Sequence, residues 1–164
     1  MTTPQDLLAR AAILLDAYRA KGAKIATAES CTGGLIAATL TEIPGSSDVV
    51  DRGFVTYSNG AKTDLLGVAE PMLAAHGAVS AEVAEAMVRG ALTRSAAEVA
   101  VAVTGIAGPG GATATKPVGL VYLAAQRQKR DPVVERHVFG GDRAAVRLAT
   151  VDRAFDLLEQ AIQD

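Results

Sequence analysis

The 164-residue sequence contains no tryptophan, and aromatic residues make up only 4% of it. A core without large rings has to be built from alanine, valine, leucine and isoleucine. The sequence also has a single cysteine, Cys31, which excludes an internal disulfide bond. This low cysteine content suits a reducing compartment, so we expect a cytoplasmic protein.

Strong charge and long apolar runs are missing as well. The 16 basic and 18 acidic residues give a net charge of −2, without the basic footprint of a nucleic-acid-binding protein, so we expect no nucleic-acid partner. No apolar run approaches the roughly 20 residues that span a bilayer, and the first residues lack a signal-peptide pattern, so we expect no membrane association. The two histidines are isolated, which predicts no metal site and no metal cofactor.

Helical and strand-like patterns are mixed along the chain, which predicts one α/β domain over residues 1–164. The predicted helices cover 4–19, 35–42, 61–66, 71–76 and 80–95, with a last helix from Asp142 onward. Apolar runs predict strands at 24–27, 53–57 and 99–104, and a strand pair at 119–125 and 133–139. We expect a three-layer arrangement in which helices pack on both faces of a mixed β-sheet.

Small and hydroxylated residues occupy the predicted junction between strand 24–27 and the helix that follows it. Unpaired N–H groups and the positive end of a helix meet at such a junction, which favours an anion or an activated nucleophile. Ser30 and Cys31 are the nucleophile candidates there, while Thr32, Gly33 and Gly34 are candidates for anion binding. No histidine is paired with Cys31 in the sequence, and a small buried cysteine is the commoner case.

Three further segments carry residues with catalytic or binding chemistry. They are the 45–47 turn with Ser47, the 57–62 segment with Tyr57 and Lys62, and the glycine-rich 105–111 loop with Lys116 beyond it. Ligands of open α/β sheets collect where strands end, so the segments that follow strands are expected to converge. The glycine loop matches no nucleotide fingerprint, and by itself it equally fits a mobile turn.

Tyr57 and Lys62 indicate a specific chemistry when they are taken together with a serine. A lysine that is desolvated among apolar neighbours has a lowered pKa and can act as a base for a serine hydroxyl. A nearby tyrosine can relay a proton or bind an oxyanion, so the three side chains can carry out acyl transfer without histidine or metal. Each residue alone also fits a simpler interpretation, a solvated lysine at a helix start and a half-buried tyrosine on a strand.

Several ordered motifs, spread over residues 5–160, resemble the CinA C-terminal domain family. They lie at 28–34, 44–47, 52–59, 76–80, 104–111 and 116–119. Longer members of that family carry an additional N-terminal molybdopterin-binding-like domain, for which this sequence has no room. We therefore expect the stand-alone amidohydrolase form.

The resemblance implies a hydrolase that converts nicotinamide mononucleotide to nicotinate mononucleotide and ammonia, returning the pyridine nucleotide toward NAD. The nucleotide is the expected partner, no cofactor is required, and a homodimer or higher homo-oligomer is expected from the family. The Ser/Lys/Tyr chemistry of the family maps onto Tyr57 and Lys62. The alternative is a non-catalytic nucleotide-binding or interaction module linked to competence or the DNA-damage response.

The resemblance leaves two serines as candidates for the nucleophile. If the phosphate is held by Gly105, Gly108, Gly110 and Lys116, Ser30 is free to attack the amide. If Thr32, Gly33 and Gly34 hold the phosphate, Ser47 has to attack, because phosphate and carboxamide lie at opposite ends of the nucleotide. We favour Ser30 and retain Ser47.

Overall fold

Five strands form one mixed sheet in a computed structural model that describes residues 1–163. The strands are β1 (Ile25–Glu29), β2 (Val50–Val55), β3 (Val99–Gly105), β4 (Leu120–Arg127) and β5 (Val133–Val138). They lie in the order β2-β1-β3-β4-β5, with β2, β1 and β3 parallel. β4 is antiparallel to β3, and β5 is antiparallel to β4. The predicted mixed sheet and the predicted strand pair are confirmed.

Helices cover both faces of this sheet, which confirms the predicted three-layer arrangement. One layer contains α1 (Pro4–Ala20), α2 (Leu35–Thr41) and α6 (Arg143–Gln163). On the opposite face α5 (Ala81–Thr93) packs on the strands, and α3 (Asn59–Leu66) and α4 (Glu70–His76) pack against α5. A short 3-10 turn, Ser46–Asp48, precedes β2. None of the helices within residues 1–163 is both long enough and apolar enough to cross a membrane.

The two faces of the central strand β3 carry side chains of different size. Its valines Val99, Val101 and Val103 face the α1, α2 and α6 layer, whereas Ala100 and Ala102 face α5. Side chains of a strand alternate between its faces, so a run of alternating Val and Ala places large groups on one side and small groups on the other. Both faces are buried, as expected for a continuous apolar strand in the centre of a sheet.

The structure shifts one predicted strand toward the N-terminus. The strand predicted at 53–57 is β2, which runs from Val50 to Val55, so Tyr57 lies in the loop beyond it. Ser58 accepts a hydrogen bond from the Ala61 backbone N–H, and this cap starts α3 at Asn59 instead of at the predicted residue 61. Tyr57 therefore lies between the end of β2 and this cap, and its side chain is 62% exposed.

The sheet brings several loops to one edge. β1, β2 and β3 all end at this edge, β4 begins there and β5 ends there. The loops 30–34, 56–58, 106–119 and 139–142 therefore share it. Because the chain crosses from β1 to β2 in one direction and then to β3 on the other side of β1, a crevice is expected between the ends of β1 and β3.

Gly90 provides a test of how closely α5 approaches α3. A Cβ atom at Gly90 would lie 2.0 Å from the carbonyl oxygen of Leu66, the last residue of α3. We expect Gly90→Ala to lower the free energy of unfolding by about 1–3 kcal/mol in urea titrations, because the backbone has to move apart. The control Gly60→Ala meets no atom closer than 3.9 Å and should be neutral or stabilising by up to about 1 kcal/mol. Equal stabilities of the two variants would contradict this packing.

Candidate active site

A cavity of about 270 Å³ opens at this edge of the sheet, between the ends of β1 and β3. Its size is near the lower end of the roughly 300–1,000 Å³ that is usual for small-molecule sites. The lining residues come from the loops after β1 and β2, from α3, from the end of β3 and the loop after it, from the 78–79 segment before α5 and from the first residue of α6. They include Ser30, Cys31, Tyr57, Asn59, Lys62, Ala78, Val79, Gly105, Gly108, Gly110 and Arg143.

Lys62 is the chemically most unusual residue of the cavity, because its side chain is only 1% exposed. Its Nζ donates a hydrogen bond to Ser30 Oγ at 3.0 Å and another to the Thr56 carbonyl oxygen at 2.8 Å. Among residues 1–163, no carboxylate forms an ion pair with this amine, and desolvation lowers the pKa of Lys62 below its usual range. A neutral amine in contact with a serine hydroxyl can accept the proton of that hydroxyl.

Cys31 lies beside Ser30 but differs from it in reactivity. The thiol is buried, and this burial raises the pKa of Cys31 to about 11. The side chain therefore stays a protonated thiol at neutral pH, and a thiol is a poor nucleophile. Ser30, which has a base at hydrogen-bond distance, is the better nucleophile of the two.

Glu29 occupies the N-terminus of α2, where the sequence predicts unpaired N–H groups, and it takes two of them. This last residue of β1 is completely buried, and its carboxyl group accepts hydrogen bonds from the backbone N–H groups of Ile36 at 2.8 Å and Ala37 at 3.0 Å. The hydroxyl of Thr32 also donates to it, at 2.7 Å. Sequence reasoning missed Glu29, although an acidic residue at the end of an apolar strand and just before a helix start was the available signal.

Five predicted site residues lie outside the cavity lining. Thr32, Gly33 and Gly34 form the turn beside it, and Lys116 Nζ donates to the His76 carbonyl oxygen at 2.7 Å. Ser47 is exposed in the 3-10 turn before β2, at the opposite edge of the sheet from Ser30. The structure thus brings together six of the predicted residues, Ser30, Tyr57, Lys62, Gly105, Gly108 and Gly110.

Arg143 is a cavity residue that sequence reasoning missed. It is the first residue of α6, and its guanidinium donates to the Tyr57 hydroxyl at 3.1 Å and to the Gly108 carbonyl at 2.8 Å. It therefore connects the loop after β2 with the glycine loop after β3, and it brings a positive charge to the cavity. The predicted strand pair was the signal that could have identified Arg143. The second strand of such a pair ends at the same edge of the sheet as β3, and Arg143 comes shortly after that strand.

The arrangement provides a serine hydrogen-bonded to a buried lysine amine of lowered pKa, a tyrosine hydroxyl and a fixed cation around one cavity. Within residues 1–163, no group of three or more histidine, cysteine or acidic side chains could hold a metal ion. The sequence profile of the CinA C-terminal domain matches residues 8–162. The chain belongs to the CinA C-terminal domain family.

Relatives in this family include short and long proteins. A nicotinamide-nucleotide amidohydrolase, PncC of Escherichia coli K12, is 45% identical over 158 residues, which cover 96% of both chains. A CinA-like protein of Syntrophobacter fumaroxidans is 51% identical over 146 residues, 89% of this chain and 34% of that protein. The chain thus spans about a third of the length of such longer relatives.

Solved structures of the family share the fold over the whole chain. The crystal structure of the competence/damage inducible protein CihA from Agrobacterium tumefaciens superimposes with a TM-score of 0.95 at 50% sequence identity. That match covers 100% of this chain and 99% of the other.

The buried amine of Lys62 predicts a pH-dependent stability. At pH values between the lowered pKa of Lys62 in the folded state and the usual 10.5, the Lys62 amine is protonated in the unfolded chain but not in the folded protein. Stability therefore rises with pH in this window, and below it both states are protonated and the cost of the buried charge is constant. We expect the unfolding free energy of the wild type, relative to Lys62→Met, to rise from neutral pH toward pH 10 in urea titrations. The matched control Lys129→Met, at an exposed position, should not change the pH dependence, and parallel curves for Lys62→Met and wild type would contradict the interpretation.

Proposed function

We propose that this chain hydrolyses the carboxamide of nicotinamide mononucleotide to nicotinate mononucleotide and ammonia. The observation that carries the proposal is the buried Lys62 Nζ, 3.0 Å from Ser30 Oγ, in a cavity that also contains Arg143. The name of the Escherichia coli relative, which is 45% identical over nearly its whole length, supports the same substrate.

Acylation of Ser30 is the first half of the proposed reaction. The neutral amine of Lys62 accepts the hydroxyl proton while Oγ forms a bond to the carboxamide carbon. Negative charge develops on the carboxamide oxygen, where the backbone N–H groups that follow Ser30 would stabilise it. The proton then passes from Lys62 to the amide nitrogen, the C–N bond breaks, and ammonia leaves an acyl ester on Ser30.

Hydrolysis of this ester completes the cycle with the same base. Lys62 accepts a proton from a water molecule as the water oxygen attacks the ester carbon. The ester C–O bond then breaks, the proton returns to Ser30 Oγ, and nicotinate mononucleotide leaves. None of these steps uses a metal ion or a cofactor.

The other cavity residues orient the nucleotide in this proposal. Arg143 is suited to the phosphate because a guanidinium can donate two hydrogen bonds to it, and Gly108 and Gly110 let the loop backbone approach closely. This arrangement directs the carboxamide toward Ser30, since the two ends of the nucleotide are far apart. Tyr57, at the mouth of the cavity, relays a proton or binds the oxyanion.

The test is ammonia release from nicotinamide mononucleotide in the presence of EDTA. We expect turnover by the wild type and a loss of kcat of at least about 1,000-fold in Ser30→Ala, because the nucleophile is removed. Ser47→Ala is the matched control and should keep full activity, since Ser47 lies at the opposite edge of the sheet.

A folded wild type that binds the nucleotide but releases no ammonia would contradict the proposal and favour a binding module. Activity that survives in Ser30→Ala but is lost in Ser47→Ala would show that the wrong serine had been assigned.

Arg143→Ala tests the assigned position of the phosphate. Loss of a charged hydrogen bond worth about 1.5–3 kcal/mol should raise KM for nicotinamide mononucleotide about 10- to 100-fold. Nicotinamide riboside, which lacks the phosphate, serves as the control substrate, and its kcat/KM should change little. Equal losses with both substrates would place the phosphate elsewhere.

A further inference from the structure

Glu29 is a buried acidic residue that the proposed mechanism does not use. Its carboxyl group accepts from the Thr32 hydroxyl, from the backbone N–H groups of Ile36 and Ala37, and from the Thr27 hydroxyl at 3.3 Å. Four donors around one fully buried side chain are more than an ordinary helix cap needs. The group therefore holds strand β1, the 30–34 turn and helix α2 at one point.

The N-cap residue of α2 makes no side-chain hydrogen bond to the helix. The N-cap of α2 is Gly34, which has no side chain, and Gly33 and Gly34 have φ angles of +58° and +102°. These left-handed conformations bring the first turn of α2 back over the end of β1, where Glu29 meets it. The carboxyl group thus replaces the missing N-cap side chain.

The main chain of Glu29 also connects to the base. Its carbonyl oxygen accepts from the Thr56 N–H at 2.8 Å, and the Thr56 carbonyl accepts from Lys62 Nζ. Ser30, the next residue, donates its N–H to the Val103 carbonyl at 3.0 Å. The main chain beside the nucleophile is therefore hydrogen-bonded to Thr56, the residue whose carbonyl oxygen holds Lys62 Nζ.

We propose that Glu29 is a positioning residue that fixes Ser30 Oγ against Lys62 Nζ through its hydrogen bonds to Thr32 and α2. This inference rests on the proposed function. Glu29 and Thr32 do not line the cavity, so they act on the rate of the chemical step and not on substrate binding. A displacement of the nucleophile by about 1 Å can cost on the order of 100-fold in rate.

Thr32→Val and Thr32→Ser form the matched pair that tests this role. Valine keeps the shape of threonine but removes the 2.7 Å hydrogen bond to Glu29, whereas serine keeps the hydroxyl. We expect Thr32→Val to lower kcat on the order of tenfold with KM unchanged, and Thr32→Ser to restore kcat. A raised KM with unchanged kcat would mean that Thr32 binds substrate, and it would overturn the inference.

Glu29→Gln and Leu40→Val separate positioning from general destabilisation of α2. The side-chain NH2 group of glutamine cannot accept the hydrogen bonds that the Glu29 carboxyl group accepts. Glu29→Gln should therefore lower kcat further than Thr32→Val does. Leu40 is buried in α2 away from Glu29, so Leu40→Val should lower the melting temperature but leave kcat unchanged. The inference is overturned if Leu40→Val loses as much kcat as the variants at Glu29 and Thr32.

A fluorophosphonate probe measures the reactivity of Ser30 without the proposed substrate. We expect slower labelling of Ser30 in Thr32→Val than in the wild type and Thr32→Ser, read by mass spectrometry of the labelled peptide. Wild type that is labelled at Ser30 but releases no ammonia refutes the proposed substrate and leaves the positioning role standing. Equal labelling rates in all three proteins, or no labelling of the wild type at Ser30, overturn the positioning role.

Discussion

Exclusion of water from the Lys62 amine is the constraint on which the rest of the site depends. An ammonium in an apolar interior is unfavourable, and the proton is released more easily as the burial becomes more complete. The fold achieves this burial through ordinary local features. β2 ends at Val55 and Ser58 caps α3. Lys62 lies one helical turn after Ser58, and its amine reaches Ser30, the residue that follows β1. Such a site costs stability, because an apolar residue would fill the same space without a penalty.

The charged groups around the cavity are distributed unevenly between its two sides. On the β1 side, Glu29 is already bonded to the N-terminus of α2, so this helix end offers no free N–H groups at Ile36 and Ala37. On the other side, Arg143 provides a guanidinium next to the glycine loop. A ligand with an anionic end is therefore drawn toward α6, and its other end is left near Ser30. This polarity agrees with the proposed orientation of a mononucleotide.

Features with local causes could be predicted from the sequence, and features that depend on long-range geometry could not. Thr3 and Ser80 cap α1 and α5 as their sequence patterns predict, and the continuous apolar run of β3 is the buried central strand. Arg143 was missed because a cation at a helix start is locally unremarkable, and only the return of β5 brings it to the cavity. The sequence already places Ser30 after a strand and Ser47 before one, but only the parallel pairing of β1 and β2 puts the two serines at opposite edges of the sheet.

The second hydrogen bond of Lys62 goes to a main-chain carbonyl, that of Thr56. A peptide oxygen is present whatever side chain occupies position 56, so no single substitution there deletes the acceptor. This acceptor is therefore insensitive to the side chain at position 56, whereas replacing either Ser30 or Lys62 removes the contact between their side chains. A member of this fold could consequently lose its chemistry in one step while the scaffold around the lysine stays intact.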